Sequence, residues 1–234
     1  MTEQAVPARL TSRSIRSFVI RNGRLTKAQA AAIDQLLPHY GIEYRENQLL
    51  DFSAIFSQIN PVWLEIGFGN GDALLDMATR YPDTNFIGVE VHESGVGHAL
   101  MGIESKSLQN VKIIQHDAIE VLQQMIPASA LQRVLLFFPD PWRKKRHFKR
   151  RIVQKEFIEL VADKLEIGGV LHCATDWQDY AEWMLEKINA CERLKNQDDA
   201  GAYSSRPEWR TNTRFEKRGE RLGHTVSDLL YTRI

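Results

Sequence analysis

The sequence has little cysteine and no excess charge of either sign. Two cysteines, Cys173 and Cys191, occur in 234 residues, and neither lies in a Cys-x-x-Cys or Cys/His spacing, so we expect no metal site. The 30 Lys and Arg balance 30 Asp and Glu, so net charge alone indicates no partner. No stretch approaches the roughly 20 apolar residues of a membrane span, and the polar N-terminus lacks an apolar signal region. We therefore expect a cytoplasmic protein without a membrane segment.

Basic residues are nevertheless concentrated in two tracts. Residues 1–27 contain six Lys or Arg and one acid, Glu3, and the first 25 of them, here called the basic arm, show no helical or strand periodicity. Residues 143–151, here called the basic ribbon, contain seven Lys or Arg and no acid. Such clusters in a neutral protein indicate a polyanionic partner.

Apolar runs and helical stretches alternate regularly after residue 60. This alternation predicts an α/β protein with a doubly wound, mostly parallel sheet and helices on both of its faces. The predicted strands are 62–66, 85–89, 111–115, 134–138, 170–174 and 228–234. The predicted helices are 26–37, 51–59, 72–80, 95–105, 117–125, 151–166 and 177–193. The chain is expected to divide into a basic arm with a helix, residues 1–50, and a main domain, residues 51–234.

One acid stands between a predicted buried strand and the basic ribbon. The apolar run 134–138 leads into Pro139-Asp140-Pro141-Trp142. Open α/β sheets bind ligands beyond the carboxyl ends of their strands, which makes Asp140 a candidate catalytic residue. Because a proline biases the preceding residue towards an extended conformation, we expect this acid on a stiff, extended tip. A polyanion on the ribbon would lie beside it, which indicates chemistry on a nucleic acid.

A glycine loop follows the first predicted strand. Gly67, Gly69 and Gly71 have the spacing G-x-G-x-G, whereas the dinucleotide fingerprint places its third glycine or alanine one residue later. Asp72 at a helix N-terminus would repel a diphosphate, and Glu65 in the strand adds negative charge. S-adenosylmethionine, which is cationic and has no phosphate, fits this pattern better.

Acids also end the next two predicted strands. Glu90, 19 residues after Gly71, could accept hydrogen bonds from both hydroxyls of a ribose, and Asp117 could reach an adenine amino group. Each acid alone could equally be a helix cap or a loop residue. Together with the glycine loop, the two acids predict a nucleoside-type cofactor.

Four segments resemble the bacterial tRNA (guanine-N7-)-methyltransferases: 64–71 (LEIGFGNG), 88–92 (GVEVH), 138–142 (FPDPW) and 213–216 (TRFE). The resemblance covers nearly the whole chain, and FPDPW and TRFE are its more specific elements. It implies a seven-stranded class I methyltransferase fold of the Rossmann-like type. It also implies a cofactor pocket lined by Glu65, Glu90, Asp117 and Asp140, and 7-methylguanosine in the tRNA variable loop as the product.

The same resemblance implies contacts with the substrate and with RNA. The substrate-binding residues would be Lys144, Asp176, Thr213, Arg214, Phe215 and Glu216. The RNA-binding residues would be Arg146, His147, Phe148, Lys149, Arg150 and Arg151. Without the resemblance, the polar loop 206–221 would be interpreted as solvated, and the ribbon as a solvated helix start at residue 151. Basic residues at a helix N-terminus oppose the helix dipole, which counts against that second interpretation.

Guanine N7 carries a lone pair and no proton, so its methylation depends on positioning and electrostatics rather than on a general base. We expect Asp140 to orient the guanine, because a carboxylate facing N1–H and the amino group gains strength as positive charge moves to the purine. Asp176 is expected to support it, or else to cap a helix before Trp177.

Other functions stay open at this point. Pro-Asp-Pro-Trp faintly resembles the Asp/Asn-Pro-Pro-aromatic loops of enzymes that methylate exocyclic or amide nitrogens, so another RNA or protein nitrogen is one alternative acceptor. A non-catalytic RNA-binding module is a second alternative, and it would bind tRNA without cofactor. A NAD-dependent dehydrogenase is disfavoured by the glycine spacing. The protein is expected to be a monomer or a homodimer.

Overall fold

A computed structural model describes residues 15–19, 25–211, 216 and 225–234 of the chain. Within them, one sheet contains β1 (Val62–Ile66), β2 (Asn85–Val89), β3 (Val111–Ile114), β4 (Leu131–Phe137), β5 (Leu165–Thr175), β6 (Leu194–Asn196) and β7 (Ser227–Arg233). The α-helices are α1 (Lys27–Tyr40), α2 (Phe52–Ile55), α3 (Asp72–Arg80), α4 (Glu93–Ser105), α5 (Ala118–Gln124), α6 (Lys155–Lys164) and α7 (Gln178–Asn189). A 3₁₀ helix spans Lys145–Arg150.

The strand order is β3-β2-β1-β4-β5-β7-β6. Strands β1 to β5 pair in parallel, whereas β7 is antiparallel to both β5 and β6. The predicted doubly wound, mostly parallel, seven-stranded sheet is therefore confirmed. Strand β6 was not predicted from the sequence, because it has only three residues and only Leu194 among them is buried.

Alternate residues of the central strand face opposite sides of the sheet, as strand geometry requires. Val62, Leu64 and Ile66 pack into a core that includes residues of α5, α6 and α7. Trp63 packs into a second core with residues of α1, α3 and α4. Both faces of the sheet are thus covered, which explains why the parallel strands are continuous apolar runs.

Side-chain caps set the starts of the first two helices. Thr26 and Gln29 form a reciprocal capping box at α1, and the Asp51 carboxylate accepts hydrogen bonds from the backbone N–H groups of Ser53 and Ala54 at α2. Helix α1 continues through Pro38 to Tyr40, beyond its predicted end. A proline in the last turn removes one helical hydrogen bond, but the two residues that follow it can still continue the helix.

Two expectations around the basic ribbon are wrong. Helix α6 begins at Lys155 rather than at residue 151, and most of the ribbon forms the 3₁₀ helix. Phe138, expected to be extended before Pro139, has a φ of 51°, while its N–H donates to the Ala174 carbonyl of β5 at 2.8 Å. The hydrogen bond to β5 at the end of the sheet therefore outweighs the preference of a residue before proline for an extended backbone.

Helix α1 is docked on the sheet domain. The Gln29 side chain donates to the Ser94 carbonyl of α4 at 3.0 Å, and the Ile42 N–H donates to the Ile113 carbonyl of β3 at 2.8 Å. A Cβ added at Gly97 would lie 2.8 Å from the Gln29 carbonyl oxygen, so this glycine permits the close approach of the two helices. The domain division at residue 50 stays a prediction.

We expect Gly97→Ala to lower the free energy of unfolding by about 1–3 kcal/mol, because the new methyl group meets the backbone of α1 and forces the helices apart. Gly102→Ala in the same helix is the matched control, since its Cβ meets only the Leu75 side chain, which can rotate. Urea unfolding of both variants measures the difference. Equal stability of the two variants would contradict the close-packing role of Gly97.

Candidate active site

The carboxyl ends of three neighbouring strands meet where the chain reverses its direction across the sheet. Strand β1 has β2 on one side and β4 on the other. The loops that leave β1 and β4 therefore diverge and open a crevice. The glycine loop, Glu90 and Asp140 all lie at this crevice.

Two adjoining cavities occupy the crevice. The first, of about 200 Å³, is lined by residues that include Glu90, Asp117 and Asp140. The second, of about 480 Å³, is lined by residues that include Glu65 and Gly69. They share Gly67, Phe137 and Phe138, so they adjoin, and their combined volume lies within the range of about 300–1,000 Å³ that is typical of ligand pockets.

The three loop glycines differ in what surrounds them. All have positive φ angles, of 68° at Gly67, 57° at Gly69 and 82° at Gly71. A Cβ at Gly67 or Gly69 would meet no atom within 4 Å, whereas one at Gly71 would lie 2.9 Å from the Ala99 Cβ. Gly67 and Gly69 thus leave room for a ligand, and Gly71 serves the packing of the loop against α4.

Hydrogen bonds to the Glu90 side chain join the glycine loop to the end of β2. Its Oε2 accepts a hydrogen bond from the Gly69 N–H at 2.9 Å, and its Oε1 accepts from the N–H groups of Val91 and His92 at 2.7 and 3.0 Å. The ring Nδ1 of His92 lies 2.8 Å from the same Oε1. The sequence does not single out this histidine, although it lies two residues after an acid in the GVEVH segment.

Glu65 is a buried acid without a partner for one of its oxygens. Its side chain borders the second cavity, and its Oε2 makes no hydrogen bond. Burial raises the pKa of Glu65 to about 8, and the nearby Glu90 contributes to the rise. The carboxyl is therefore mostly neutral at pH 7 and would ionise beside a cation.

Asp117 combines the two roles that the sequence left open. Its Oδ1 accepts a hydrogen bond from the Ile119 N–H at 3.0 Å and so caps α5, while the residue also lines the first cavity. Burial raises the pKa of this carboxyl. The neighbouring His116, which also lines the first cavity, stacks on Tyr44 with ring centroids 3.6 Å apart.

Asp140 and Asp176 follow β4 and β5, which are adjacent strands. Asp140 is exposed at the first cavity, between Phe138 and Trp142, and both of these flanking residues have positive φ angles. Non-glycine residues in this conformation are costly and occur often at functional sites. Asp176 is not the cap of α7, because that helix begins at Gln178 with Trp177 in the N-cap position.

Most cations of the basic ribbon are exposed. Lys144, Lys145, Arg146 and Lys149 face solvent, and Arg143 does so while its guanidinium lies 4.2 Å from the centroid of the Trp177 ring. This face is therefore the part of the ribbon that a polyanion could reach.

The end of the ribbon turns inward. Arg151 is 1% exposed, pairs with Asp179 of α7 and stacks on Phe148 at 3.6 Å, and Phe148 in turn packs edge-on against Trp183. The RNA contact of Arg151 stays a prediction, and the structure encloses the guanidinium of this residue in protein. Phe148 is half-buried between Arg151 and Trp183.

Residues 15–19 of the basic arm lie against both the ribbon and the first cavity. The Trp142 indole N–H donates to the Ser17 carbonyl at 2.9 Å. Arg150 donates to the carbonyls of Arg16 and Phe18 at 3.1 and 2.9 Å. Ser17 and Phe18 also line the first cavity. Arg150 is thus bonded to the arm rather than displayed with the exposed cations.

Thr213, Arg214 and Phe215 lie outside the described residues. Glu216 is buried, and its two carboxylate oxygens accept hydrogen bonds from Arg210 at 2.7 and 2.8 Å. Arg210 also pairs with Asp228 of β7, which contacts His172 of β5 at 2.7 Å. Residue patterns did not reveal this network, because His172 and Asp228 are 56 residues apart and meet Arg210 only in the folded sheet.

Neither a membrane span nor a metal cluster occurs in the part of the chain that the structure describes. No helix there is both long and apolar enough to cross a bilayer. No three or more His, Cys, Asp or Glu side chains come together there in an arrangement that could hold a metal ion.

Comparisons with known proteins agree with this geometry. A family model described as "Putative methyltransferase" matches residues 59–229. The tRNA (guanine-N(7)-)-methyltransferase of Idiomarina loihiensis is 52% identical over 229 residues, which cover 98% of this chain and 93% of that protein. The enzyme of the same name from Methylococcus capsulatus is 51% identical over 221 residues, which cover 94% of this chain and 95% of that protein.

A solved structure supports the fold independently. The 16S rRNA methyltransferase KamB superimposes with a TM-score of 0.56 at 17% identity, covering 81% of this chain and 96% of KamB. The sheet is therefore that of the class I, Rossmann-like methyltransferases. Because its relatives match over almost their whole length, this chain belongs to the tRNA (guanine-N(7)-)-methyltransferase family, whose cofactor is S-adenosylmethionine.

Proposed function

We infer that this protein transfers a methyl group from S-adenosylmethionine to N7 of a guanosine in the variable loop of tRNA. One observation carries the inference: the glycine loop, Glu90 and Asp140 meet at one crevice, and the exposed cations of the basic ribbon follow directly after Asp140. A cofactor cavity thus adjoins a surface that suits a polyanion.

The residues around the two cavities fit the cofactor. Gly67 and Gly69 let a ligand approach the backbone, and the unpartnered oxygen of Glu65 suits a cationic group. Glu90 and Asp117 offer acceptors for ribose hydroxyls and for an adenine amino group. When bound, S-adenosylmethionine supplies a methyl group activated by its sulfonium.

Asp140 is the proposed catalytic residue, and it also lines the first cavity. Guanine N7 has no proton to lose, so the residues of the chain orient the base and balance charge. A carboxylate that accepts hydrogen bonds from the guanine N1–H and amino group binds more strongly as the purine becomes positive. Asp176, at the end of the adjacent strand, would complete the guanine site, with Lys144 on the phosphates.

The exposed part of the ribbon is the proposed RNA surface. Lys145, Arg146 and Lys149 would contact tRNA phosphates, which supply affinity without sequence information. His147 is half-exposed beside them. Arg151 is omitted from this set because it is buried, and Arg150 could join it only by leaving the arm.

The direct test is methyl transfer from labelled S-adenosylmethionine to unmodified tRNA, followed by nucleoside analysis of the digested product. We expect 7-methylguanosine. A different methylated nucleoside would overturn the acceptor but keep the cofactor. Tight tRNA binding without any transfer would favour a non-catalytic binding module.

In the same assay, we expect Asp140→Asn to lower the turnover at saturating substrates by at least about tenfold, because an amide cannot offer the same charge to the purine. Asp83→Asn is the matched control, since Asp83 is exposed in the loop between α3 and β2. Turnover of Asp140→Asn close to that of the control would refute the proposed role of Asp140.

We expect Lys145→Ala combined with Lys149→Ala to weaken tRNA binding and to reduce its logarithmic salt dependence by about two, one for each lost phosphate contact. Lys195→Ala, at an exposed position of β6, serves as the control for loss of a surface cation. Filter binding at several salt concentrations measures the slopes. The RNA assignment fails if the double variant keeps the slope of the wild type.

Binding of S-adenosylmethionine at pH 7 should release nearly one proton, because Glu65 is neutral in the free protein and ionises beside the cation. Calorimetry in two buffers with different ionisation enthalpies measures this release, and Glu65→Gln should abolish it and weaken binding.

The raised pKa of Glu65 also makes the stability of the free protein depend on pH. The folded protein keeps this carboxyl neutral, and the resulting contribution to the free energy of unfolding is lost as the pH rises towards about 8. Glu65→Gln should therefore raise the melting temperature of the free protein at pH 8.5, and a lower one would contradict this account.

A further inference from the structure

The ring of His92 lies between two hydrogen-bond acceptors. Its Nδ1 is 2.8 Å from the Glu90 Oε1, and its Nε2 is 3.2 Å from the Val19 carbonyl oxygen. A neutral imidazole has a single N–H and can donate to only one of them. Both contacts are hydrogen bonds only when the ring is protonated.

The Val19 contact is one of four consecutive attachments along the arm. The carbonyls of residues 16, 17 and 18 accept hydrogen bonds from Arg150 and Trp142 of the ribbon side. Among these four carbonyls, that of Val19 is the one bonded by His92, which also contacts Glu90. Among these attachments, the bond from His92 is therefore the one that a proton can make or remove near neutral pH.

This segment of the arm forms a wall of the first cavity. Ser17 and Phe18 face the same space as Glu90 and Asp117, where the proposed function puts the nucleoside of the cofactor. Loss of the Val19 contact would loosen this wall.

We propose that His92 is a positioning residue whose imidazolium joins the arm at Val19 to the Glu90 carboxylate and thereby closes the nucleoside cavity. This proposal rests on the proposed function, because the cavity must bind the adenosine part of the cofactor. His92 need not touch the reacting atoms.

The charges around His92 favour its protonated form. Burial acts against the charge, but the hydrogen bond to Glu90, the Val19 carbonyl and the negative charges of Glu90 and Asp140 outweigh it, so the pKa of His92 is raised. Glu93 begins the helix beside the ring, His116 and Asp117 face it across the cavity, and Arg150 holds the far side of the arm. Closure is therefore complete at low pH and is lost as the pH rises through the raised pKa of His92.

The test uses 5′-methylthioadenosine, a nucleoside without the titratable amino group of the full cofactor. Its dissociation constant is measured by calorimetry from pH 6 to 9 for wild type, His92→Gln and His92→Arg. Gln cannot donate to both acceptors, whereas Arg is a permanent cation with several donors. His39→Gln, at an exposed position of α1, is the control for loss of a histidine.

We expect His92→Gln to bind the probe about 3- to 10-fold more weakly than wild type at pH 6.5, which corresponds to one hydrogen bond, and to match wild type at pH 9. The ratio of the wild-type constant to that of His92→Arg should change with pH, because only the wild type loses its cation. Such ratios cancel the titration of Glu65 and Asp117, which all variants share. A ratio that is constant across the pH range would overturn the proposal.

Trypsin cleavage after Arg16 gives a second readout, which a purely local role of His92 would not change. At pH 6.5, where wild type is expected to carry the imidazolium, His92→Gln should be cleaved faster than wild type, and His92→Arg should not, with melting temperatures showing that all variants are folded. Equal cleavage of all three would overturn the proposal. If wild type forms no 7-methylguanosine and binds neither the probe nor S-adenosylmethionine, the proposed function itself has failed.

Discussion

The position of β1 between β2 and β4 is the constraint on which the site depends. The chain adds β2 and β3 on one side of β1 and then returns to add β4 on the other, so the loops at this edge must separate. The glycine loop, Glu90 and Asp140 face the resulting gap because they follow β1, β2 and β4, respectively. The same separation lets residues 15–19 of the basic arm reach the first cavity.

Four carboxylates at this edge have different tasks because their surroundings differ. Glu65 is enclosed and lacks a partner for one oxygen, so its charge depends on what occupies the second cavity. Glu90 accepts hydrogen bonds from the glycine loop and from its own strand end, so it belongs to the framework of the site, and it is also the proposed acceptor for the ribose. Asp117 caps a helix, whereas Asp140 is exposed on a tip between two residues with positive φ. Burial and hydrogen bonding thus give four carboxyl groups different properties, although they are chemically alike.

The basic ribbon shows how tertiary contacts divide a run of similar residues. Its first cations are exposed, whereas Arg150 bonds the arm and Arg151 is buried against α7. The sequence predicted a polyanion surface, because clustered charge in a neutral chain is visible without a structure. It could not separate Arg151 from its neighbours, since that residue turns inward only because Asp179 and Phe148 surround its guanidinium.

Local patterns determined the alternation of strands and helices, the glycine loop and the acids after successive strands. Each of these depends on residues close together in the chain, where periodicity, caps and spacing act directly. The tertiary structure alone decided the inward turn of Arg151, the pairing of Arg210 with Glu216 and Asp228, and the place of His92 between Glu90 and Val19. These features depend on burial and on contacts between distant parts of the chain. Arg151 and Asp179 are 28 residues apart, Arg210 and Asp228 are 18 apart, and His92 and Val19 are 73 apart. Such contacts form only when the sheet has formed.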